Sequence, residues 1–114
     1  MKAPIIFQEL MELIESRRTQ PTQDSYTSTL LAGGIERIGE KVFEEAAELI
    51  AAATTHDDSA PCRDDIIHEA ADLIYHLFVL LGFSRVGLDE VSEELLSRFG
   101  TSGLEEKASR NRDP

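Results

Sequence analysis

Hydrophobic positions along the chain recur at helical spacing, and nowhere do they alternate as a half-buried strand requires. The strongest such stretch is Ile66 to Leu81, IIHEAADLIYHLFVLL. At about 100° per residue, Ile66, Ala70, Leu73, Leu77, Leu80 and Leu81 point one way, and Ile67, Ala71, Ile74 and Phe78 widen that face. Only Glu69, Asp72 and His76 leave a polar stripe. A helix this apolar is buried on several sides. Its two carboxylates therefore need cations, edge water or a metal beside them, since an unpaired buried charge costs several kcal/mol.

The other elements follow from the same periodicity. Residues 4–18 form a first helix, with Pro4 in its first turn and Phe7, Leu10, Met11 and Ile14 as its apolar stripe. Residues 19–25 are a polar linker around Pro21. Ser25 to Leu31 is a short helical piece before Gly33 and Gly34, and its hydroxyls serve either as helix caps or as phosphate contacts. Residues 35–55 form a long helix with Ile35, Ile38, Val42, Ala46, Leu49, Ile50 and Ala53 inward, and Phe43 and Ala47 on the flank. After the break at 56–61, the 66–81 helix begins near Cys62 or Arg63 and runs to about Phe83. Asp89 caps a last helix that carries Val91, Leu95 and Phe99 inward and ends at Gly100. The predicted fold is an all-α bundle of about four main helices plus a short one. It occupies residues 1–100 as a single domain, followed by a polar, flexible tail over 101–114.

Charge narrows the partners. With a net charge of −11, the chain is a poor match for nucleic acid or an anionic membrane. Tyr75 and His76 interrupt the longest apolar run, so no membrane span is expected. The single Cys62 and the early Gln8 and Glu9 fit a cytoplasmic protein without a signal peptide.

Two helices each carry an acidic pair at i, i+3, Glu45-x-x-Glu48 and Glu69-x-x-Asp72, with Glu44 one turn before Glu48. A short turn makes these helices antiparallel neighbours, so that four or five carboxylates converge. Such a cluster repels itself unless cations enter it, and hard oxygen donors suit Mg2+ together with substrate phosphates. The bland alternative is a solvated acidic face. Lys41 either pairs with Glu45 or reaches a phosphate, and His76 reads as structural. A di-iron bundle needs Glu-x-x-His pairs; the nearest approximation, Asp65-x-x-His68, is expected to point away from Glu69.

The pattern Glu44-Glu45-x-x-Glu48, twenty residues, then Glu69-x-x-Asp72 resembles the signature of the MazG-type all-α nucleoside triphosphate pyrophosphohydrolases. Ser25-Tyr26-Thr27, Leu30, Gly34, Ile38, Lys41-Val42 and the run EAADLIYHLFVLL are similar to the phosphoribosyl-ATP pyrophosphohydrolase branch, over residues 5 to 99. The resemblance implies Mg2+ held by Glu45, Glu48, Glu69 and Asp72 with Glu44 in support. It also implies hydrolysis of an α–β phosphoanhydride in histidine biosynthesis and a cytoplasmic homodimer or higher homo-oligomer. Lys41, Arg37, Ser25, Tyr26 and Thr27 are the substrate-binding candidates, with tail residues Lys107, Arg110 and Arg112 as further cations. Phe43 stands where many members carry glycine and is expected to alter packing beside the site. A house-cleaning enzyme for other nucleoside triphosphates and a non-catalytic helical dimer are the alternatives.

Overall fold

A computed structural model describes residues 4–100, which form four helices. These are α1 (Ile5–Thr19), α2 (Tyr26–Thr54), α3 (Ala60–Phe83) and α4 (Leu88–Phe99). The architecture is all-α. Helices α2 and α3 pack most extensively on each other, α1 lies against both, and α4 touches the rest sparsely. The expected tail, with Lys107, Arg110 and Arg112, lies outside the described residues.

Local chemistry sets the helix ends. Ser25 caps α2, its hydroxyl accepting the Ser28 N–H at 3.0 Å. The short and long segments expected on either side of the glycines form α2 with a break at Gly34, whose φ of 72° and ψ of −169° only glycine adopts easily. Ser59 caps α3, so that helix begins at Ala60, earlier than the Cys62 expected from sequence. Pro61 fits its first turn, where no intrahelical N–H bond is lost. Asp89 is not the cap of α4. Gly87 takes that place, its N–H donating to the Glu90 carboxylate at 2.8 Å.

The core is thin. Ile14, Leu30, Ile38, Phe78 and Val79 are its buried apolar side chains among the described residues, with Phe7 set edge-on against Phe78. The rotation of α3 differs from the sequence expectation. His76, Phe78, Val79 and Gly82 face inward, whereas Leu77 and Ile67 are exposed. A helix apolar nearly all round has no single preferred face, and the positions of α1 and α2 decide which one is covered. On α2, Ile35 and Ile50 are likewise exposed, and Phe43 is 81% exposed instead of packed beside the site. By length and composition alone α3 could cross a membrane, a test that core helices also pass; it carries Glu69 and Asp72 and packs along α2.

Candidate functional site

Of the four or five carboxylates expected to converge, three do so on the α2–α3 seam. Ligand atoms of Glu45, Glu48 and Glu69 lie within 4.8 Å of one another, and so do those of His68, Glu69 and Asp72. Glu69 belongs to both groups; Asp72 joins the His68 side and not the Glu45–Glu48 side. Glu45 is the most enclosed of the acids at 6% exposed, because it lies on the edge of α2 that faces α3. Glu44 stays outside both groups and pairs with Lys41 at 3.4 Å.

Lys41 also reaches Glu45 at 3.6 Å, so the pairing reading of this lysine holds in the free chain. Burial opposes its charge, but Tyr26, Glu44 and Glu45 around it prevail and raise its pKa. That one cation does not saturate the cluster. Glu45 Oε2 and Glu69 Oε2 are both buried and have no hydrogen-bond partner. Hydrogen bonding to Glu48, then burial and the charges of Glu48 and Glu45, push the Glu69 pKa up, against a smaller pull from His68. Orphaned carboxylate oxygens and a raised acid pKa mark a like-charge pocket that a cation would stabilise. The hard-oxygen donor set fits a divalent cation.

His68 was missed from sequence, where it was expected to point away. Its Nε2 lies 3.3 Å from Asp72 and 3.7 Å from Glu69. The i, i+4 spacing to Asp72 was the available signal.

The hydroxyl segment meets α3 one turn beyond the acids. Tyr26 Oη lies 3.3 Å from His76 Nε2, and His76 Nδ1 lies 2.8 Å from the Asp72 carbonyl, which makes Nδ1 the donor and leaves Nε2 to accept from Tyr26. Thr27 is hydrogen-bonded to Tyr75, whose pKa burial pushes up. His76 is thus a satisfied buried histidine that ties Tyr26 to α3, as expected. Ser25 is occupied as the helix cap. Arg37 pairs with Glu40 at 3.4 Å on the exposed side and is not brought to the carboxylates.

The chain is similar to known proteins along most of its length. Residues 7–99 match the family model of phosphoribosyl-ATP pyrophosphohydrolase. A phosphoribosyl-ATP pyrophosphatase of Rhodopirellula baltica is 50% identical over 101 residues, 89% of this chain and 82% of that one. One from Geotalea daltonii is 42% identical over 94% of this chain and 96% of its own. The bifunctional histidine-biosynthesis protein HisIE of Helicobacter hepaticus is 45% identical over 92% of this chain, which spans 43% of that protein. With the acidic seam in place and the match running through all four helices, the chain belongs to the phosphoribosyl-ATP pyrophosphohydrolase family.

Proposed function

We propose that this chain hydrolyses phosphoribosyl-ATP to phosphoribosyl-AMP and pyrophosphate in histidine biosynthesis, cleaving the α–β phosphoanhydride. The observation that carries the reading is the three-carboxylate group across α2 and α3, with two buried oxygens left unpartnered, in a chain of this family. Glu45, Glu48, Glu69 and Asp72 would hold Mg2+, which when bound offsets phosphate charge and polarises a phosphoryl oxygen. Lys41, bonded to Glu44 and Glu45, is the cation beside the acids and would meet a phosphate as a point charge. Glu44, half exposed and paired only to Lys41 among the described residues, accepts the proton of the attacking water. Tyr26, Thr27 and Ser25 border the nucleotide, and Arg37 would have to leave Glu40 to join them.

The chain works as a cytoplasmic homodimer or higher homo-oligomer. Phe43, Ile50 and Ile67 present exposed apolar surface on the two helices that carry the acids, and a single chain leaves it uncovered.

Pyrophosphate release, measured with and without Mg2+, tests the reading. Phosphoribosyl-ATP should exceed ATP and the common deoxynucleotides in kcat/KM by at least ~100-fold, about 2.7 kcal/mol of transition-state preference. Equal rates on ATP would leave a general nucleoside triphosphate pyrophosphohydrolase. Release of single phosphate would sink the assignment.

A further inference from the structure

Away from the carboxylates, Arg17 and Arg18 at the end of α1 and Arg85 just past α3 converge on a cavity of about 330 Å3, with Ser28, Leu31 and Phe83 in its wall. The chain is strongly acidic, yet three of the seven lysines and arginines between residues 4 and 100 sit here. Arg18 is bonded to Glu15. Arg17 bonds only the Ser16 hydroxyl, at 3.3 Å, and among the described residues neither Arg17 nor Arg85 forms an ion pair. Two guanidinium groups are therefore free to take an anion.

Arg85 occupies a costly backbone position. The Val86 N–H bonds the Leu81 carbonyl at 3.0 Å and the Arg85 N–H bonds that of Gly82 at 3.1 Å, the helix-ending motif that normally places glycine at position 85. Arg85 has φ of 59° there, a strain of about 1–2 kcal/mol for a residue with a Cβ. A cation stands where glycine would fold more easily.

The cavity also lies at a useful distance. Phe83 follows Asp72 by eleven residues of continuous helix, about 16 Å at 1.5 Å per residue. Thr27 and Ser28 are neighbours on the first turn of α2; Thr27 is hydrogen-bonded to Tyr75, three residues past Asp72, and Ser28 lines the cavity.

We propose that this cavity seats the second phosphate of the substrate, the 5′-phosphomonoester on the ribose attached to adenine; this assignment rests on the function proposed above. A phosphomonoester is near −2 at neutral pH, and arginine forks match its oxygens. ATP lacks this group, so the cavity is the specificity determinant. The triphosphate end lies on the acidic seam and the monoester end on the arginines.

Calorimetric titration of ribose 5-phosphate and of ribose, and steady-state kinetics on phosphoribosyl-ATP, test this on the full chain. Ribose 5-phosphate should bind and ribose should not. Arg17→Gln and Arg85→Gln should each raise KM for phosphoribosyl-ATP at least tenfold with kcat little changed, because the contact is made equally in ground and transition states. Glu15→Gln removes the carboxylate competing for Arg18 and should tighten ribose 5-phosphate. Arg63→Gln, on the first turns of α3, should match the unsubstituted chain. Unchanged KM in both arginine variants, or ribose binding as well as its phosphate, overturns the proposal. Failure of the unsubstituted chain to cleave phosphoribosyl-ATP would instead remove the proposed function, and the titration would still read the cavity.

Discussion

Glu45 and Glu69 face one another across the α2–α3 seam, each with one buried carboxylate oxygen that no protein donor reaches. Like charges so placed destabilise the free chain and stabilise its cation-loaded form. Glu69→Gln should therefore abolish pyrophosphate release and remove most of the Mg2+-induced rise in Tm, while leaving the metal-free Tm equal or higher. Asp72→Asn, on the His68 side, should lose activity in the same way. Near-normal turnover in either variant would return the acids to a solvated face.

Gly34 and Gly39 lie five residues apart on α2 and should respond oppositely to alanine. A Cβ at either meets nothing within 4 Å, so packing does not separate them. Gly34 holds φ 72°, ψ −169°, where an L-residue is strained by about 1–3 kcal/mol. Gly39 has no such φ, and alanine there should stabilise by up to about 1 kcal/mol through helix propensity. Urea midpoints of the two variants check the sign; equal destabilisation would place the break of α2 elsewhere.

The exposed apolar surface gives a third outcome. Ile67 is 60% exposed on the helix that carries Glu69 and Asp72. Sedimentation at micromolar concentration should show at least a dimer, and Ile67→Glu should dissociate it. An active, monodisperse monomer of the unsubstituted chain contradicts the oligomer.

Asp57 supplies a pH dependence remote from the site. Hydrogen bonds from the Ser59 side chain and from the Ser59 N–H, at 2.9 Å, hold its carboxyl at about 2 against the ordinary 3.8. A depressed folded-state pKa contributes stability that is present above the unfolded value and lost as pH falls through the folded one. The urea-midpoint gap between the unsubstituted chain and Asp57→Asn should be widest near about pH 5 and close as pH falls toward about 2. A gap independent of pH would mean that the charge of the Asp57 carboxylate does not hold the turn.

The helix boundaries were legible because capping is local. Ser25, Pro61 and Gly100 announce their ends within a few residues, and Asp89 misled only because Gly87 reaches Glu90 by a backbone donor. The acidic seam was legible for a related reason: i, i+3 spacing fixes a pair on one face, whichever helix it meets. The rotation of α3 was not. Its apolar residues run nearly all round, so burial of Val79 and exposure of Ile67 depend on where α1 and α2 lie. His68 is exposed, and its contact with Asp72 follows from their i, i+4 spacing, which the i, i+3 pattern of the acids does not include. The arginine cavity had no sequence signature, since Arg17 and Arg85 belong to elements that only the tertiary fold brings together.

Gly82 sets where α1 can lie. A Cβ built there would sit 2.5 Å from Ile14 Cγ2, so α1 touches the bare backbone of α3 at that point. Arg17 and Arg18 follow Ile14 by one turn, and Arg85 follows Gly82 by three residues. The spacing of the arginines is therefore gauged by a missing methyl group. Any side chain at position 82 would act as a wedge, moving the two banks of positive charge apart without altering a single charged residue.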